Sequence, residues 1–174
     1  MRALPSLGFG EAIKLASSRL LDFNGRSRRS EFWWWMLVVM IVNWIVNLFS
    51  GNLLVGTILS TIVMFFGLST TARRLHDTGK SAWWVYISYV LGIVLNFMVA
   101  TSSAMNELTK KAMRGSLNEK AIEKFLTNNG DEFLAINGLA FLMGILALIV
   151  IIMCCMDSKP IPNKYGESPK YVNE

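Results

Sequence analysis

Three long runs without a charged residue dominate the hydropathy pattern of the chain. They cover residues 32–72, 81–106 and 133–156, and the longest has 41 residues. About 20 apolar residues in a helix cross the hydrocarbon core of a membrane, so the longest run holds two crossings, separated at the turn-forming residues 50–52. The pattern predicts an all-α, polytopic membrane protein with four transmembrane helices arranged as two hairpins. The predicted spans are residues 32–49, 53–71, 82–101 and 133–156.

An amphipathic helix is predicted near the amino end, over residues 7–23. Apolar residues recur there at alternating spacings of four and three, which collects them on one helical face. A helix of this kind suits the membrane–water interface, but it can equally pack on the other helices as an ordinary surface helix. The pattern leaves both possibilities open. The residues of the apolar face are Phe9, Ile13, Ala16, Leu20 and Phe23.

The only long polar segment between spans, residues 102–132, is predicted to form helices outside the membrane. The capping-box pattern of residues 116–119 marks a helix start, and Asn129-Gly130 marks its end. A solvated helical hairpin is the expected structure. Contact with a protein partner, including another copy of the chain, is left open.

Charge agrees with a membrane protein and predicts its orientation. The chain is 53% hydrophobic and 17% charged, whereas a soluble domain carries roughly a quarter charged residues. With four crossings, twelve of the 17 Lys and Arg fall on the side of both termini, and the 102–132 loop holds the other five beside five acids. The positive-inside rule therefore predicts that both termini, including the tail 157–174, are cytoplasmic. The first long apolar run begins at Phe32 and is expected to stay in the protein as an anchor.

Two basic motifs, residues 25–35 and 73–84, each combine arginines with a tryptophan cluster at the start of an apolar run. Indole and guanidinium groups both suit the membrane–water boundary, where guanidinium can contact lipid phosphate. Anionic membrane lipids are the partners this pattern predicts, and no nucleic-acid partner is predicted. Anchoring alone does not require the acids Glu31 and Asp77, or His76, which lie among these arginines.

These acids admit two interpretations. They can form ion pairs with the arginines that join the two hairpins. Alternatively, the arginines can bind a phosphate or carboxylate beside the amino end of the third span, with Ser81 as its capping residue. Ion-pair networks and ligand sites produce similar clusters, so the residue types alone do not separate the two.

No cofactor, metal site or catalytic constellation is predicted. His76 is the only histidine, and Cys154 and Cys155 are adjacent without further metal-binding residues nearby. The predicted spans contain no ionisable acid or base, which argues against an ion-coupled transporter. A transporter or pore subunit formed by oligomerisation, and a membrane enzyme acting on lipid, remain as alternatives to a non-enzymatic binding protein.

Three segments resemble the signatures of the domain of unknown function 805 family. They are residues 23–33 (FNGRSRRSEFW), residues 73–84 and residues 163–169. The resemblance implies a small bacterial inner-membrane protein of several helices, with no established activity. Ala82 departs from the glycine more usual in the family, and the 102–132 insertion is longer than in compact members.

All three signatures fall on the side predicted to be cytoplasmic, so their polar residues are expected to converge there. If they form a ligand site, an anionic lipid headgroup or a small anion is the expected ligand. If they are paired, Asp77→Ala and Arg74→Ala should both destabilise the protein. The candidate residues are Arg26, Arg29, Glu31, Arg73, Arg74, His76, Asp77, Asn163 and Tyr165.

Overall fold

The computed structural model describes residues 1–172, and within them the regular secondary structure is helical apart from two very short strands. This confirms the predicted all-α class. Four of the helices, α2, α3, α4 and α6, are long and apolar enough to cross a membrane. The helices are α1 (Phe9–Ser17), α2 (Arg29–Phe49), α3 (Leu53–Asp77), α4 (Trp83–Thr101), α5 (Ser103–Met113) and α6 (Glu119–Cys155).

Helix α1 packs on α2, and its first residue lies against Trp34. Ala12 and Ala16 are fully buried, and Ala16 belongs to an apolar cluster with Trp35 of α2 and Val63 of α3. Small alanine side chains let the two helix backbones approach closely. The ring of Phe9 meets that of Trp34 edge to face at 5.4 Å. Helix α1 ends at Ser17, and the chain then turns towards α2.

Helix α3 extends six residues beyond residue 71, the predicted end of the second span. A helix of 25 residues is about 37 Å long, against a hydrocarbon core of about 30 Å, so its last turns can lie beyond the core. These turns carry Arg73, Arg74, His76 and Asp77, all buried. The predicted second span, residues 53–71, contains no ionisable acid or base, and those of α3 lie in the turns that follow it. The helix continues because hydrogen bonds within the protein satisfy these side chains.

A Schellman motif ends α3 and turns the chain sharply towards α4. The amide of Lys80 donates to the carbonyl of Leu75 at 2.8 Å, and that of Gly79 donates to the carbonyl of His76 at 3.0 Å. Gly79 has φ +77°, a conformation that glycine adopts without strain. Ser81 does not cap α4 as expected. Ala82 is the N-cap, and the Ser81 hydroxyl only accepts a long bond from the amide of Trp83 at 3.4 Å.

Helix α6 joins the predicted loop helix to the fourth span in one element of 37 residues. Asn129 is its one non-helical residue, at φ −135° and ψ 25°, so the Asn-Gly pair kinks the helix where it was expected to end it. The helix begins after Asn118, whose side chain accepts from the amide of Ala121 at 2.9 Å. The expected capping residue Ser116 lies outside it.

The four long helices meet around one apolar cluster near the end of the bundle that holds the termini. The most extensive helix packing is α2 on α3, followed by α4 on α6, and then equally by α1 on α2 and α3 on α4. The strands β1 (Arg2–Ala3) and β2 (Tyr171–Val172) pair antiparallel and hold the two ends of the chain together. The apolar cluster consists of Phe32, Leu68, Leu75, Val85, Val150 and Cys154.

Candidate functional site

Five charged residues of the first two signatures form a buried group that we call the arginine cluster: Arg26, Glu31, Arg73, Arg74 and Asp77. None is more than 5% exposed. Arg26 precedes α2, Glu31 lies in the first turn of α2, and the other three lie in the last turns of α3. A charge removed from water is tolerated only with a partner and hydrogen bonds, so the bonding of each member decides what the cluster can do.

Asp77 is the acceptor at the centre of the cluster. Its Oδ1 accepts from Nε of Arg26 at 2.9 Å, and its Oδ2 accepts from Nη1 of Arg74 and from the hydroxyl of Ser158. Its backbone carbonyl accepts from the amide of Lys159 at 3.2 Å. One residue at the end of α3 thus contacts the segment before α2 and the segment after α6.

Arg26 binds the carboxy-terminal tail to the end of α3. Its Nε and Nη2 bond Asp77, and the remaining N–H groups point at backbone carbonyls of the tail. Each of its five N–H groups has an acceptor, so the guanidinium has no donor left for another ligand. The tail carbonyls are those of Lys159, Ile161 and Gly166.

Arg73 performs the same task for the turn that follows α1. Its five N–H groups are also all matched by acceptors, two of them carbonyls of that turn. Its carboxylate partner is Glu31, whose Oε1 lies 3.3 Å from Nη2 and also accepts from the Ser27 hydroxyl at 2.9 Å. The acceptors are the carbonyls of Arg19 and Asp22, the hydroxyls of Ser27 and Thr70, and Glu31 Oε1.

Arg74 binds the last turn of α6. Its Nε donates to the carbonyl of Cys154 at 2.9 Å, and its Nη2 donates to the carbonyl of Met156. Carbonyls at the end of a helix lack partners within the helix and carry partial negative charge, so a cation stabilises them. The Nη1 group contacts Asp77 together with the longer acceptors of Ser27 and Ser158, at 3.4 Å each.

The third signature closes one side of the cluster through His76. The rings of His76 and Tyr165 stack at 3.7 Å with an angle of 9° between their planes. Asn163 donates from Nδ2 to the carbonyl of His76 at 3.0 Å, and His76 Nδ1 lies 3.2 Å from the carbonyl of Gly25. The candidates His76, Asn163 and Tyr165 therefore lie against the arginine cluster.

Arg29 is the one candidate residue that lies apart from the buried group. As the first residue of α2, its side chain is 47% exposed. Its two contacts are long: Nη1 lies 3.4 Å from the carbonyl of Cys155, and Nη2 lies 3.4 Å from Asp157. Unlike the buried arginines, it keeps N–H groups that face the surroundings.

Asp157 forms an exposed ion pair that ties the tail to the end of α6. Nζ of Lys170 donates to both of its carboxylate oxygens at 2.7 Å. This hydrogen bond holds the pKa of Asp157 below its usual range and raises the pKa of Lys170. Near α1, the side chain of Arg19 and the amide of Asn24 lower the pKa of Asp22 in the same way.

Sequence reasoning missed Ser27, Asp157 and Ser158. Both serines are buried. Ser27 bridges Arg73 to the Glu31 carboxylate, and Ser158 joins the Asp77 carboxylate to the tail. Ser27 lies inside the first signature, so its place between two arginines was the available signal. Nothing in the sequence marks Ser158. Among residues 1–172, no three His, Cys, Asp or Glu side chains lie close enough together to hold a metal ion.

Comparisons with known proteins place the chain in a family. The family model described as protein of unknown function (DUF805) matches residues 20–167. Inner membrane protein YhaH of Escherichia coli strain K12 is 32% identical over 94 residues, which cover 45% of this chain and 78% of that protein. Inner membrane protein YhaI of the same strain is 36% identical over 75 residues, which cover 39% of this chain and 62% of that protein. No solved structure matches the chain. The matched region contains the first two signatures, most of the third and the whole arginine cluster, and the chain belongs to the DUF805 family.

Proposed function

We propose that this protein is a non-enzymatic protein of the bacterial cytoplasmic membrane that binds the headgroup of an anionic lipid at Arg29. The arginine cluster holds the fold, and the exposed cation beside it contacts the lipid. The observation that carries the proposal is the contrast in hydrogen bonding. Arg26 and Arg73 each have five acceptors within the protein, whereas Arg29 is half exposed with two contacts at 3.4 Å.

The charge balance around the cluster supports an anionic ligand. The buried group contains three arginines and two carboxylates, which leaves one positive charge. Outside the cluster, the Asp157 carboxylate lies 2.7 Å from Nζ of Lys170 and 3.4 Å from Nη2 of Arg29. It therefore compensates mainly the charge of Lys170. A phosphate at Arg29 would compensate the remaining charge in a bidentate geometry that guanidinium favours.

Location and orientation support access to such a lipid. Both relatives are named inner membrane proteins, and four helices of this chain have the length and composition of membrane spans. The paired strands at the two ends put both termini on the side of the arginine cluster. The positive-inside rule makes this side cytoplasmic, where the leaflet carries anionic lipid. Reporter fusions at each terminus test this orientation. If both termini are cytoplasmic, alkaline phosphatase should be inactive and green fluorescent protein should be fluorescent at either end.

Headgroup selectivity tests the proposal. The protein is reconstituted in vesicles of phosphatidylglycerol and phosphatidylcholine, extracted, and analysed by native mass spectrometry. Wild type should retain phosphatidylglycerol in preference, and Arg29→Gln should reduce that preference about fivefold, since a basic residue near an anionic surface contributes about 1 kcal/mol. Arg114→Gln is the matched control, because Arg114 is also exposed but lies in the loop between α5 and α6. An unchanged preference in Arg29→Gln contradicts the proposal.

A transporter or pore subunit is the alternative function, and flux measurements on the same vesicles address it. Solute flux that depends on the protein and survives Arg29→Gln would favour a pore. The non-enzymatic part of the proposal is tested by the lipid composition, since turnover of phospholipid in the vesicles during incubation would contradict it.

A further inference from the structure

An apolar cavity lies between the four long helices, below the arginine cluster. Its volume is about 270 Å³. An apolar cavity of about 150 Å³ already stays dry and binds a molecule the size of benzene, so this one has room for a longer hydrocarbon. Its walls include Phe32 and Met36 of α2, Phe65 of α3, Val85, Tyr89 and Gly92 of α4, and Met143, Ala147, Val150, Ile151 and Cys154 of α6.

The hydroxyl groups in the cavity wall do not make it a water site. Thr61, Thr71 and Ser88 each donate their hydroxyl hydrogen to a carbonyl of their own helix four residues earlier, at 2.7 to 2.8 Å. With these three donors used within the protein, Tyr89 and Asn96 supply the remaining side-chain oxygen and nitrogen atoms of the wall, which are few for a buried water that needs two to four polar partners. The remaining wall is mostly aliphatic, aromatic or thioether, and methionine side chains such as Met36 and Met143 adapt to an irregular occupant.

The cavity opens to the surface of the bundle and reaches its core. Phe65 and Ile151 in its wall are half exposed, whereas Val85 and Cys154 are fully buried. In a membrane the surrounding solvent is hydrocarbon, and an empty space would cost its lining the dispersion contacts that an occupant supplies. A chain entering between the helices would contact residues that lipids around the outside of the protein do not reach.

One end of the cavity lies next to Arg29. Phe32 is one helical turn after Arg29 on the same face of α2, and Cys154 precedes the residue whose carbonyl accepts from Arg29. We propose that the cavity holds one acyl chain of a membrane phospholipid, whose phosphate lies at Arg29. The acyl-chain site deepens the proposed function, on which its headgroup contact rests, but chain binding is tested separately.

Filling the cavity should remove the bound lipid. Gly92 is a suitable position for introducing a larger side chain, because a Cβ there would already approach Met143 Cε to 3.3 Å. The variants Gly92→Leu and Ala147→Leu project into the cavity from α4 and α6. Gly144→Leu is the matched control on α6, since a Cβ at Gly144 meets nothing within 4 Å and the residue does not line the cavity.

The proteins are reconstituted in vesicles of phosphatidylcholine alone and extracted with detergent. Native mass spectrometry then measures the mass of each protein with any lipid that it retains. Wild type and Gly144→Leu should retain one phospholipid, and the two filled variants should lose it. Retention in both filled variants, or no retained lipid in wild type, overturns the chain site. Because phosphatidylcholine is zwitterionic, failure of the Arg29 headgroup claim leaves this result unchanged.

A measurement on the wild-type protein makes the test independent of how the variants fold. Phosphatidylcholine with a photoreactive diazirine on one acyl chain is incorporated into the vesicles and activated. Adducts should concentrate on buried cavity residues such as Val85 and Cys154. Adducts confined to exposed residues outside the cavity, such as Trp44 and Phe141, would contradict the inference.

Discussion

Arg26 and Asp77 are 51 residues apart in the chain, yet Nε of Arg26 donates to Oδ1 of Asp77 at 2.9 Å. Their side chains are 1% and 0% exposed. The pair joins the entrance of α2 to the end of α3, and the remaining donors of Arg26 bind the tail that follows α6. Arg26 and Asp77 thus connect three segments that are distant in sequence.

Removing the shared carboxylate should destabilise the fold strongly. Asp77→Ala leaves Arg26 and Arg74 buried without their carboxylate partner, and Arg74→Ala leaves Asp77 with one cation fewer and the end of α6 without its donor. Breaking a buried ion pair costs about 3–5 kcal/mol. Unfolding in mixed micelles measures the loss. Asp157→Ala, which removes an exposed carboxylate, is the control and should cost about 1 kcal/mol or less. Equal effects of Asp77→Ala and Asp157→Ala would refute the structural role of the cluster.

Arginine at position 26 should not be replaceable by lysine. Lysine keeps the charge but offers three donors in place of five, so at least two acceptors among Asp77 and the tail carbonyls are left unsatisfied. Each buried group without a partner costs about 1–3 kcal/mol. Arg28→Lys serves as the control, since Arg28 makes one exposed bond, to the carbonyl of Pro5. An equal shift of the melting temperature in Arg26→Lys and Arg28→Lys would contradict the claim that the number of N–H donors at position 26 matters.

The stack of His76 and Tyr165 should depend on the ring and not on the phenol hydroxyl. Tyr165→Phe preserves the stacked face and should leave stability nearly unchanged. Tyr165→Ala removes the ring and should cost about 0.5–1.5 kcal/mol beyond the lost burial, the usual contribution of an aromatic pair. Stability of both variants, with proteolysis of the tail as a second measurement, checks this. Equal destabilisation by both would assign the effect to the hydroxyl instead.

The attachment of the tail should weaken at both extremes of pH. The pKa of Asp157 is lowered from 3.8, so its stabilisation is present above that value and is lost as pH falls through the folded pKa. The pKa of Lys170 is raised from 10.5, so its stabilisation is present below that value and is lost as pH rises through the folded pKa. Both side chains are partly exposed, 49% for Asp157 and 25% for Lys170, so solvent screens the pair and the effect is small, about 0.2–1 kcal/mol.

The difference in melting temperature between wild type and Asp157→Asn measures this contribution. The difference should be constant at neutral pH and should vanish in acid below the folded pKa of Asp157. Arg29 and Tyr171 also contact Asp157, so Lys170→Met, which removes only the main partner, completes the comparison. A difference that persists unchanged in acid would contradict the assignment.

Hydropathy and charge were sufficient to predict the helical class, because membrane spans have a simple pattern. The family was predicted from the three signature segments, which are specific. The same reasoning collected Arg26, Glu31, Arg73, Arg74 and Asp77 as candidates. It did not distinguish them from Arg29, because exposure depends on which face of α2 a residue occupies after folding. Most acceptors of the buried arginines are backbone carbonyls. Every residue has one, so the residue types of the sequence do not show which carbonyls will accept these bonds. Ser158 was missed for a related reason, since its position is set by where α6 ends.

The central claim is that the buried arginines stabilise the fold by bonding within the protein. A double-mutant cycle between Arg26 and Asp77 tests it most directly, with Arg26→Met, Asp77→Leu and the double variant compared with wild type by unfolding in mixed micelles. Groups in one buried network couple by about 0.5–3 kcal/mol, and this pair should lie at the upper end, with the double variant more stable than the sum of the single losses implies. Additive losses would mean that the two side chains do not act together, and would contradict the account.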